Sequence, residues 1–63
     1  MNTQPKTIKY TYPTGEKMEM ILTQKGQYQM YVNGAFSSRI DASDVLNAET
    51  LAIFATTDAV FTY

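Results

Sequence analysis

From Thr7 to Ile40 the chain alternates apolar and polar residues. A period of two marks strands that bury one face. Three short segments interrupt the alternation: Pro13-Thr14-Gly15, Gln24-Lys25-Gly26 and Val32-Asn33-Gly34. Each ends in glycine, which takes the left-handed position of a three-residue hairpin loop at no steric cost. Pro13 also suits the first turn position, because its ring fixes φ near −65°.

Three such loops define a register. Tyr12 then faces Glu16, Tyr10 faces Met18 and Ile8 faces Met20. In the next hairpin Leu22 faces Tyr28 and Met20 faces Met30. In the third, Tyr31 faces Ala35 and Met30 faces Phe36. The even-numbered residues Ile8, Tyr10, Tyr12, Met18, Met20, Leu22, Tyr28, Met30, Phe36 and Ile40 all fall on one face. A one-residue slip in any loop flips every side chain of the strand that follows. Asn33-Gly34 by itself signals a two-residue hairpin. That version, however, sends Phe36 and Ile40 to the polar side, so the three-residue loop is preferred.

Beyond Ile40 the alternation stops. Asp41-Ala42-Ser43-Asp44 reads as a helix start, with Asp41 as N-cap and acidic residues at the positive end of the helix dipole. A helix over 42–57 puts Val45, Ala48, Ala52 and Ala55 on one face, over the even side of the sheet. A rival reading breaks the helix at Asn47 and makes 51–55 a strand. The end of the chain, 59–63, is apolar and β-prone. It could return antiparallel to the first strand, giving order 5-1-2-3-4, or pair with another chain. The expected fold is therefore α+β: a four-stranded antiparallel meander packed on one C-terminal helix, with a fifth edge strand possible in the same single domain.

Composition narrows the function. Sixty-three residues with no Cys and no His exclude disulfides and remove the commonest zinc ligands. A chain of this size buries only about 60% of its unfolded surface, so packing, self-association or a partner must supply stability. With 44% apolar and 17% charged residues it is expected to fold and not to stay disordered. Met1 to Lys6 show no signal-peptide pattern and no apolar run reaches membrane-spanning length, so a cytoplasmic location is expected.

Charge is unevenly placed. Lys6, Lys9, Lys17, Lys25 and Arg39, set against Glu16 and Glu19, leave the first part at about +3, while Asp41, Asp44, Glu49 and Asp58 give the tail about −4. A solvated surface explains most of this, although such asymmetry also steers partners.

Little catalytic chemistry is on offer. There is no Ser-His or Cys-His pair, no Walker loop and no GxGxxG. Asp41 and Asp44 could pair for acid–base work or bind a cation, but helix capping accounts for them more simply. Ser37-Ser38 beside Arg39 could hold a phosphate, and a polar edge strand is the simpler account. Met18, Met20 and Met30 read as core packing. No enzyme, metal or cofactor is expected.

The odd-numbered face is the more informative one. Lys9, Glu19, Tyr31 and Ala35 fall in one row, and Thr7, Ile21, Gln29 and Ser37 in the next. Lys9 and Glu19 form a cross-strand ion pair. Ile21 and Tyr31 are apolar exceptions among Lys9, Lys17, Gln29 and Arg39, and Tyr and Arg are enriched in interface hot spots. The expected function is a small non-enzymatic protein-binding module that occupies a surface of a larger partner, as accessory proteins and phage-type inhibitors do. The acidic segment Asp41, Asp44, Glu49 and Asp58 is a second candidate surface. The alternative is a single-stranded nucleic-acid binder using the solvent face of the sheet, against which the net charge of −1 argues. A third route, a homo-oligomer through an edge strand at Val60–Tyr63, stays open.

Overall fold

The computed structural model describes residues 4–63; the polar start at Met1–Thr3 lies outside the described residues. Strands β1 (Thr7–Thr11), β2 (Lys17–Leu22), β3 (Gln27–Val32) and β4 (Ala35–Asp41) form the meander. A last strand, β5 (Val60–Thr62), adds to the free side of β1. The sheet is antiparallel throughout, in the order β4-β3-β2-β1-β5.

The first two loops have the expected three-residue form. Tyr12 N–H donates to the Glu16 carbonyl at 3.0 Å and Thr23 N–H to the Gln27 carbonyl at 2.8 Å. Gly15 and Gly26 sit at φ +96° and +76°, a region that penalises any residue with a Cβ. Ile8 faces Met20, Tyr10 faces Met18 and Leu22 faces Tyr28, as the alternation requires.

The third loop departs from expectation. Val32 faces Ala35, so the loop is Asn33-Gly34 alone, with φ +51° and +86°. Positive φ at both central residues matches the twist of a type I′ hairpin. Tyr31 then faces Phe36, and Met30 faces Ser38, which leaves Ser37 as an extra residue in a β-bulge. The bulge resets the phase of β4. Phe36 moves to the solvent side, yet Ile40 still faces Tyr28 on the core side. The pairings Met30–Phe36 and Tyr31–Ala35 are thus replaced, and Arg39 takes the place expected for Ser37 beside Gln29.

The single helix over 42–57 is also corrected. It is split into α1 (Ala42–Val45) and α2 (Ala48–Thr56), with the break at Leu46 and Asn47. Asn47 causes the restart: its side-chain oxygen accepts from Thr50 N–H at 2.9 Å while its amide donates to the Asp44 carbonyl at 2.8 Å. Asp41 occupies the cap position of α1 without a side-chain cap bond; its carboxylate accepts from Gln27 Nε2 at 3.0 Å instead. Segment 51–55 is helical, so the strand alternative also falls.

The core is Ile8, Tyr10, Met18, Met20 and Tyr28 from the sheet, closed by Ala42, Val45 and Phe54. Of the helix face expected to be buried only Val45 is; Ala48, Ala52 and Ala55 are exposed. Phe54 packs instead, with its ring centroid 5.0 Å from Tyr10 and 5.9 Å from Phe61. An aromatic side chain spans the gap that alanines of the neighbouring turns leave unfilled.

The outer face of the sheet as a candidate interaction surface

Residues directly opposite one another in antiparallel strands share a face. The register therefore assembles two rows across the side of the sheet away from the core. One row runs Val60, Lys9, Glu19, Tyr31, Phe36, and the next runs Thr62, Thr7, Ile21, Gln29, Arg39. Of the residues singled out from sequence, Ile21, Tyr31, Lys9, Gln29 and Arg39 lie in these rows. Lys17 sits one step further along β2, opposite Thr11.

The side chains in these rows touch. Tyr31 and Phe36 meet edge to face, with centroids 5.8 Å apart and planes at 74°. The Arg39 guanidinium lies 5.6 Å from the Phe36 centroid, a cation–π contact. Tyr31 Oη donates to Gln29 Oε1 at 3.3 Å. Lys9 Nζ and Glu19 Oε2 are 3.8 Å apart on the surface, a pair that adds less than about 1 kcal/mol. Phe36 is 52% exposed and Ile21 37%, so water meets a ring and an aliphatic side chain on this face.

Phe36 is the member that the sequence pattern missed. Its signal was the Asn33-Gly34 dipeptide, which calls for a two-residue loop. Only the bulge at Ser37 reconciles that loop with an inward Ile40. Ser37 itself is exposed at the bulge.

At one end of the sheet an open groove is lined by Lys9, Lys17, Glu19, Asn33, Asp58 and Val60, among others. Asn33 ties this end together: its side-chain oxygen accepts from Lys17 N–H at 2.9 Å, and its own N–H donates to the Lys17 carbonyl at 2.8 Å. Asp58 lies here at φ +53°, just past the C-terminus of α2, on the groove that Lys9, Lys17 and Glu19 also line and away from Asp41, Asp44 and Glu49. Asp44 is in α1, Glu49 opens α2, and Asp41 is engaged by Gln27. Among the described residues no group of three carboxylates is placed to hold a metal ion.

Two buried hydroxyls are perturbed. Burial first, then the hydrogen bond and charge of Tyr12, push Tyr10 up to about 12. Burial first, then the charge of Tyr63, raises Tyr28. Both shifts extend the protonated form further into the alkaline range. Among the described residues every buried side-chain nitrogen and oxygen has a hydrogen-bond partner.

Compared with known proteins, the chain matches no family model, no curated protein and no solved structure. No helix among the described residues is long and apolar enough to cross a membrane.

Proposed function

We propose that this chain is a non-enzymatic protein-binding module, of the accessory or inhibitory kind, and that it docks through the outer face of its sheet. The observation that carries the reading is Phe36: half-exposed, braced by Tyr31 and roofed by Arg39, on the same face of the sheet as Gln29 and, two strands away, Ile21. Aromatic and arginine anchors held in place before binding lose little conformational entropy on docking, which is what a hot spot requires. Lys9, Lys17 and Arg39 rim the patch. The complementary partner surface is an apolar depression edged by carboxylates.

Single-stranded nucleic acid is the second reading, favoured by two aromatics and three cations on an open sheet. The geometry supports it less well. Tyr31 meets Phe36 edge-on, and Arg39 stands over the Phe36 ring where a base would stack.

The experiment compares Phe36→Ala and Tyr31→Ala with Leu51→Ala, an exposed change on α2, in capture of a partner from the native host. The first two should lose capture at least about tenfold while the circular dichroism spectrum stays unchanged. Equal capture by all three removes the outer face as the site. Titration with a generic single strand at low salt addresses the second reading, which predicts binding that weakens steeply as salt is added.

A further inference from the structure

We propose that β5 is a homodimer seam: two copies pair antiparallel along Val60–Thr62, each Phe61 opposite its own counterpart, to give one continuous sheet. This inference is independent of the outer-face reading.

The two edges of the sheet are not equivalent. β4 carries the bulge at Ser37 and the charges of Arg39 and Asp41, devices that stop a strand from recruiting another. β5 has neither bulge nor charge, and only its length of three residues limits pairing. The stretch from Ala59 to Tyr63 is uncharged, and Val60 is 62% exposed.

Hydrogen-bonding capacity fixes the register. The Thr62 carbonyl points inward, accepting from Lys6 N–H at 2.6 Å. Backbone groups of successive strand residues point to opposite sides, so the N–H and C=O of Phe61 point away from β1. Among the described residues no strand lies beyond them. A two-fold axis through this point lets each Phe61 donate to and accept from its counterpart. Val60 then faces Thr62 of the second copy on the outer side, and no like charges meet.

Packing agrees with this arrangement. A two-fold axis normal to the sheet keeps both core faces on the same side. The two α2 helices, each seated on its own β5 through Phe54 and Phe61, then cover one continuous face. Leu51 and Ile53 are exposed on that helix. A three-residue strand buries far less than the roughly 1,200 Å² of a standard interface, so the dimer is a weak one, with a Kd on the order of 100 µM.

Sedimentation equilibrium of the full chain tests this up to about 1 mM, roughly ten times that Kd. The expected mass rises from 7.1 kDa toward twice that value. A mass that stays at 7.1 kDa throughout, or that grows past the dimer, overturns the proposal. The double change Val60→Glu with Thr62→Glu places like charges opposite each other across the seam, while Glu at 60 faces Lys9 within its own chain. It should abolish dimerisation and leave the circular dichroism spectrum unchanged. Mixing it with the Val60→Lys, Thr62→Lys chain should restore the dimer through opposite charges. Should either double variant fail to fold, a synthetic chain N-methylated at the Phe61 amide removes the outward donor and alters no side chain. Its Kd should rise at least about tenfold. A dimer that ignores these changes forms elsewhere, and the proposal falls.

Discussion

Tyr28 Oη donates to the carbonyl of Pro5 at 2.6 Å, and both residues are buried. This bond fixes the segment that leads into β1. Lys6 beside it donates to the Thr62 carbonyl at 2.6 Å and accepts from Leu22 N–H at 2.8 Å. Pro5–Lys6 thus bridges three strands at one end of the sheet. Tyr28→Phe keeps the ring but leaves a buried acceptor unpaired. The expected loss is about 1–2 kcal/mol, or roughly 5–15 °C in Tm for a domain of this size. Thermal unfolding measures it directly, and an unchanged Tm would show that water takes over the Pro5 carbonyl.

The β3–β4 turn rests on Asn33, the one non-glycine residue in a hairpin loop that adopts positive φ. Asn33→Ala loses both its tolerance of that backbone and the bond from Lys17 N–H, and should cost about 1–2 kcal/mol. Asn33→Gly keeps the backbone freedom and should cost less than the alanine change. Urea unfolding of the two variants ranks them. The reverse order would mean that the side-chain bond outweighs the conformational preference.

Tyr31 and Phe36 should be energetically coupled as well as adjacent. A double-mutant cycle with alanine at each position is expected to give about 0.5–1 kcal/mol of interaction free energy. Lysine at 39 keeps the charge and loses the planar stack, so Arg39→Lys should reduce partner capture with little change in stability. Additive effects of the two alanines would mean that the edge-to-face contact contributes nothing beyond burial.

Alkaline pH should weaken the fold through its tyrosines. The pKa of Tyr10 in the folded chain, about 12, lies above its unfolded value of 10. The folded state therefore binds the proton more tightly. Stability is at its full value below pH 10 and falls as pH rises from 10 through 12, by up to about 1.4 kcal/mol per pH unit for such a group. Tyr28 shifts in the same direction and adds to the fall. Unfolding followed from pH 9 to 11.5 should show a falling midpoint, and Tyr10→Phe should flatten the slope. A slope that Tyr10→Phe leaves unaltered would place the titrating group elsewhere.

Much of the fold was legible because period-two patterning repeats across four strands, each confirming its neighbour's register. The Tyr10–Met18 and Leu22–Tyr28 pairs follow from parity and loop length alone. The same reasoning misplaced Phe36, because parity assumes that a strand keeps one phase. A bulge is a change of phase, and Ser37 carries no side-chain signature of it. The helical region was less legible because Ala48, Ala52 and Ala55 mimic a buried face while burying little. Phe54, one position from that stripe, does the packing. Asn47 was readable as a break, but its capping bond to Thr50 decided that a helix, and not a strand, follows. For the candidate surface, Ile21, Tyr31 and Arg39 stood out as exceptions to the alternation. Phe36 obeyed the alternation in sequence and broke it only in space.

The pairing of β1 with β5 has a kinetic consequence. Every other ladder joins strands adjacent in the chain, across two to five intervening residues, whereas Thr7 and Thr62 meet only after nearly the whole chain is in place. Closing that long loop is the entropically slow step. The hairpins can zip one after another, leaving β1 as a bare edge until β5 arrives. In the native ensemble the same ladder is the first to open, so the amide protons it protects should exchange sooner than those between β2 and β3.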